Sequence, residues 1–176
     1  MISKSSGFSL FELMVSVALV AVVLAWGIPS FQALIRDIRL TTTVNELITA
    51  IQLTRSEAIK RSSRVTLCKS VDGSNCATSG GFEQGWIVFT DTNNNALRDD
   101  GEDLVRIHEA IPAHYGITLS GNRNVAQYLS FSPIGFSQMI SGAFQAGTLT
   151  VCSAPEARQI VLSSVGRVRT VKATCL

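Results

Sequence analysis

The sequence predicts an α+β protein in which one long N-terminal helix packs on an antiparallel β-sheet domain. Three observations predict it. A long apolar run opens the chain, an amphipathic helical pattern continues it, and short β-rich segments separated by turn residues fill the remainder. The 176 residues suffice for one globular domain plus the helix.

Met1–Gly7 is a short polar leader. The run from Phe8 to Phe31 carries a single charge, Glu12, and the next charged residue is Arg36. Such a run can span a bilayer, for which about 20 apolar residues are enough. A carboxylate within it is costly in lipid unless it finds an opposite charge. A secretory signal would place small cleavage-site residues after its apolar region, but here the polar-to-apolar junction comes first and no A-x-A site follows. From Leu40 onward Val44, Leu47, Ile48, Ile51, Ala58 and Ile59 recur at helical spacing, so one face of the helix is expected to pack on a domain. Gly27 and Pro29 are expected to interrupt the helix, since proline removes a backbone hydrogen bond. The helix should end near Ser62 or Ser63.

Eight segments then read as strands: Val65–Cys68, Gly85–Thr90, Asp103–His108, Ile117–Leu119, Tyr128–Phe131, Thr148–Cys152, Gln159–Ser163 and Arg167–Lys172. The expected organisation is a leader over 1–7, a membrane or filament-core helix over 8–35, an amphipathic helix half over 36–63 and a β-rich domain over 64–176.

The net charge of +2 excludes a polycation, so any affinity for nucleic acid must come from local clustering. Four cysteines allow three pairings. Cys68–Cys76 with Cys152–Cys175 is favoured, because the first closes a small Gly/Ser/Asn loop and the second can staple the C-terminus. No C-x-x-C occurs and both histidines lie away from the cysteines, which argues against zinc.

Clustering does occur near the C-terminus. From Glu156 to Leu176 the basic residues are Arg158, Arg167, Arg169 and Lys172 against the single acid Glu156, a balance of +3. On a strand Arg167 and Arg169 would share a face. Two adjacent guanidinium groups repel each other unless an anion bridges them, and the arginine fork binds phosphate oxygens in pairs. Gly166 just before them permits a turn or a close backbone approach. The opposing possibility is a solvated strand face, or arginines paired with acids elsewhere. Arg55, Lys60, Arg61, Arg64 and Arg123 could widen a basic patch.

A second constellation runs from Asp91 to Glu102. Asp91, Asn93, Asn95, Asp99 and Glu102 fall at positions 1, 3, 5, 9 and 12 of an EF-hand-like calcium loop. Ala96 stands where that loop needs glycine, and strands flank it rather than helices. A polar hairpin turn rich in Asn and Asp is the competing interpretation, so no metal is assigned. His108 and His114 have no motif around them and read as surface or packing residues. No nucleophile–base–acid arrangement is visible; no enzymatic activity and no cofactor are expected.

Lys4, the Gly7–Phe8 junction, Glu12 and the unbroken apolar helix resemble the N-terminus of type IV pilins and type II secretion pseudopilins. That resemblance implies cleavage by a prepilin peptidase between Gly7 and Phe8 and methylation of the new N-terminal Phe8. It also implies that Glu12 pairs with the N-terminal amine of a neighbouring pilin subunit. The chain would be a single-pass inner-membrane protein with a periplasmic domain, later assembled into an extracellular pilus. The order of helix and strands, Leu53–Ile59 and Gly85–Asp91 followed by Asn93, Gly101 and Glu102 are similar to the FimT/GspH type of minor pilins and pseudopilins, and imply the type IV pilin fold. The Gly166-Arg167-Val168-Arg169 segment resembles the Gly-Arg-x-Arg motif of FimT-type pilins, which implies non-specific contact with double-stranded DNA during natural transformation through Gly166, Arg167 and Arg169, with Lys172 as a neighbour. The alternative is a structural role, as a minor pilin that primes pilus assembly or a GspH-type pseudopilin of type II secretion.

Overall fold

The structure, a computed structural model, describes Gly7 and Ser9 through Cys175. Phe8 and the leader residues before Gly7 lie outside the described residues, so the geometry of the cleavage and methylation site does too. Among the described residues there are one α-helix, two 3₁₀ turns and eight strands. The chain divides into two compact units after Asp37.

Helix α1 covers Leu10–Arg61. Ser9 caps it: its hydroxyl accepts the Glu12 amide N–H at 3.2 Å, the first half of an S-x-x-E capping arrangement. The α-helix is unbroken through Gly27 and Pro29, contrary to the interruption expected there. A proline deletes one donor, and the hydrogen bonds before and after it still hold the helix. In the N-terminal unit most of the described large apolar side chains are exposed, Phe11 at 77% and Trp26 at 82%. The segment is long and apolar enough to cross a membrane.

In the second unit the helix buries Leu40, Val44, Leu47, Ile51, Thr54 and Ala58. These positions advance by three or four residues, so they form one stripe. Thr54 fills a core position that lacks an apolar residue, and its hydroxyl is satisfied by the Ala50 carbonyl at 2.7 Å.

All eight expected strands form: β1 (Val65–Lys69), β2 (Trp86–Thr90), β3 (Leu104–His108), β4 (Thr118–Gly121), β5 (Tyr128–Phe131), β6 (Gly147–Ser153), β7 (Glu156–Leu162) and β8 (Val168–Thr174). They make two four-stranded antiparallel sheets, β3-β2-β1-β5 and β4-β6-β7-β8, rather than one. The division is non-local, because β4 precedes β5 in the chain yet pairs with β6 in the other sheet. The helix stripe packs with Leu67, Trp86, Val88, Leu129 and Phe131 of the first sheet and Leu119, Leu149, Val151, Ile160 and Leu162 of the second in one continuous core. Cys68, Ile87 and Phe89 form a smaller cluster, so β1 and β2 are buried throughout. Disulfides join Cys68 to Cys76 and Cys152 to Cys175.

Candidate nucleic-acid interface

The turn from β7 to β8 carries the arginine motif. Gly166 N–H donates to Ser163 O at 2.9 Å, and Ser163 N–H donates to Arg167 O at 2.9 Å. The Ser163 hydroxyl also accepts the Arg167 N–H at 3.1 Å. The turn needs glycine, because φ of Gly166 is +77° and a Cβ there would lie 2.8 Å from Gly135 O. Gly166 is buried, and its carbonyl accepts Arg55 Nη1 at 3.2 Å. Gly166 is therefore placed to shape the turn.

Arg167 closes the turn and β8 starts one residue later, so its direction is set by the turn rather than by strand alternation. Arg167 and Arg169 are nonetheless both exposed and line one surface recess of about 360 Å³ with Val161, Ser163, Val165 and Val168. Among the described residues neither arginine has an ion pair or a side-chain hydrogen bond. Lys172 is exposed but lies three residues beyond Arg169 on the same strand, so the two project to opposite faces. In register it faces Arg158 across β7. Lys172 is thus not the neighbour of the arginine pair that its sequence position implied.

The other basic residues separate by partner. Arg55 holds the Gly166 carbonyl. Arg61 pairs with Glu57 at 2.7 Å and Asp103 at 3.1 Å, and Lys60 with Glu57 at 3.4 Å. The Arg61 guanidinium holds the Glu57 carboxyl below its ordinary value. Arg64 donates to Ser130 Oγ, Gln138 O and Gln138 Oε1, in a partly buried network that continues through Thr66 Oγ1 to the buried Asp91. Burial lowers the Arg64 pKa. Arg123 is exposed in the loop after β4. The pairing places the end of β4 and the start of β8 at the same end of the sheet, three strand spacings or ~14 Å apart.

The Asp91–Glu102 loop satisfies itself. Asp91 accepts the backbone N–H of Asn95 and Ala96 and the Thr66 hydroxyl. Glu102 accepts the N–H of Thr92 and of Asp99. Asn93 and Asn95 both donate to Asp99 at 2.7 Å and hold its carboxyl below the ordinary value. The oxygens that would face calcium already cross-link a turn, and Asn94 and Ala96 take positive φ without glycine. Among the described residues no cluster of metal-ligating side chains occurs. His108 stacks on Trp86 at 3.7 Å, and His114 meets Tyr115 edge-on.

Three structural contributors had no motif to mark them in the sequence. The Ser163 hydroxyl braces the turn, Arg55 reaches it from the helix, and Ser137 Oγ lies 3.0 Å from Ser163 O. Arg55 and Ser137 act through non-local backbone contacts, Ser163 through a local one within the turn.

The chain matches the family described as Type II transport protein GspH over residues 43–166, and the prokaryotic N-terminal methylation motif over residues 2–28. The GspH match ends at Gly166, before either arginine. No curated protein matches the chain by sequence. Two crystal forms of the Pseudomonas aeruginosa (strain PAO1) type IV minor pilin FimU share the fold at 17% identity. One covers 76% of this chain and 88% of FimU with a TM-score of 0.56, the other 75% and 92% with 0.54. With its apolar N-terminal helix and two antiparallel sheets, the chain belongs to the GspH family and carries the type IV pilin fold behind an N-terminal methylation motif.

Proposed function

We propose that this protein is a minor type IV pilin that binds double-stranded DNA without sequence preference and supports DNA uptake in natural transformation. The observation that carries the proposal is the pair Arg167 and Arg169: both exposed, both on one recess, and neither engaged by a described acid. Uncompensated guanidinium groups lining one recess are stabilised by a bridging anion, and a phosphodiester suits their forked donors. Contacts to phosphate give affinity without reading bases. Gly166 shapes the turn and Arg123 lies at the same end of the sheet. In this proposal prepilin peptidase cuts between Gly7 and Phe8, and Phe8 is methylated. The apolar helix then holds the chain in the inner membrane with its domain in the periplasm, and Glu12 pairs with the amine of a neighbouring subunit as the pilus assembles. The family consists of structural proteins, and we assign this one no enzymatic step.

The test is a duplex-DNA titration of the full chain in neutral detergent at several salt concentrations. Each phosphate contact adds about −0.9 to the slope of log K against log salt. Arg167→Gln with Arg169→Gln should reduce the slope by about 1.8 and weaken binding at least ~10-fold at low salt. Wild-type affinity in the double variant would rule out this site.

A structural role is the second reading, favoured by β8. It is an outermost strand with one side unpaired in its sheet, as a strand that docks on another subunit would be. Such a protein would prime pilus assembly or serve a type II secretion pseudopilus. It would lose assembly, with no change in DNA affinity, when β8 is altered.

A further inference from the structure

The face of the second sheet turned away from the core carries mostly hydroxyl, amide and small apolar side chains. In register, Ser120, Thr150, Gln159 and Val171 form one row across all four strands. Thr148, Val161 and Arg169 form the row beside it, and Thr118 lies beside Cys152 in the row beyond. None of these positions is acidic. The side chains of Thr118, Ser120, Thr148, Thr150 and Gln159 make no hydrogen bond to any described residue, so their donors are open to solvent or to a ligand.

Two recesses lie along this face. One, of about 360 Å³, holds Arg167, Arg169 and Val161. The other, of about 480 Å³, includes Ser120, Thr150 and Gln159. Val161 and Gln159 are two residues apart on β7, so the recesses adjoin. Across the sheet the face spans three strand spacings, ~14 Å, which is about four base-pair rises along a duplex axis at ~3.4 Å each.

We infer that the whole outer face of this sheet is the DNA-docking surface: Arg167 and Arg169 anchor the phosphodiester backbone at one corner, and Ser120, Thr150 and Gln159 donate to successive phosphate oxygens as uncharged partners. The inference rests on the DNA-binding function proposed above and adds the direction in which DNA crosses the protein. The absence of acid along the track matches an anion, and hydroxyl and amide donors are ordinary phosphate partners. Neutral donors release no counterions, so they differ from the arginines in how salt affects them.

That difference supplies the test. In the full chain in neutral detergent, Thr150→Val with Gln159→Leu should weaken duplex binding roughly 3- to 10-fold and leave the salt slope unchanged. Gln159→Arg should tighten binding and steepen the slope by about 0.9. A gain of that kind does not arise from misfolding, and thermal unfolding of each variant checks the fold directly. An unchanged affinity in the first variant, or an unchanged slope in the second, overturns the inference. If these fail while Arg167→Gln with Arg169→Gln still abolishes binding, only the extended surface is wrong. If wild-type protein does not bind duplex DNA at low salt, both proposals fall.

Discussion

Gly166 is the residue on which the interface turns, though its side is buried. Its φ of +77°, and the Gly135 O only 2.8 Å from where a Cβ would sit, leave no room for a methyl group. Gly166→Ala should destabilise the domain by about 2 kcal/mol or more, a fall in Tm of roughly 4–8 °C. It should also reduce the proposed DNA affinity while both arginines remain. An unchanged Tm would show that the turn relaxes freely. At the same scale, residue type proved a poor guide to availability. Arg64 and Arg167 look alike in sequence, but the side chain of one is locked into a Ser130–Gln138 network and that of the other has no partner among the described residues.

At the scale of elements, the strands and the helix stripe were legible because each is written in a local period: alternation in β6 and β7, and steps of three or four in α1. The unbroken passage through Pro29, the division into two sheets and the opposite projection of Lys172 were not. Each depends on a register or partner set by distant residues. The disulfide loop between Cys68 and Cys76 shows local chemistry of another kind. Asp72 accepts the N–H of Ser74 and Asn75 and the Asn75 side-chain amide, each at 2.8 Å. The Asn75 backbone N–H, first among these, holds the Asp72 carboxyl far below the ordinary carboxylate range. A carboxylate with a depressed folded pKa contributes order that is complete above about pH 4 and is lost as pH falls toward its folded value. The Asn75 amide resonance should therefore stay fixed down to about pH 4 and shift only in stronger acid, and Asp72→Asn should remove the transition. A midpoint near the ordinary aspartate value would contradict the hydrogen-bonded loop.

At the scale of the molecule, the two units differ in what stabilises them. Every described residue of the main core lies between Leu40 and Val168, whereas most described apolar side chains before Asp37 are exposed. A chain lacking residues 1–37 should thus remain folded, unfold cooperatively by circular dichroism and keep the DNA affinity proposed for the full chain. Loss of cooperative unfolding would show that the N-terminal unit contributes to the domain's stability. By itself the sequence determined the α+β class, the element order, the apolar anchor and the presence of a closely spaced arginine pair, because periodicity, turn chemistry and local charge are short-range properties. Only the tertiary structure decided which basic residues are unpaired, which face they share, and that a neutral hydroxyl-bearing sheet surface continues from them. Those outcomes depend on strand register and burial, in which residues far apart in the chain become neighbours.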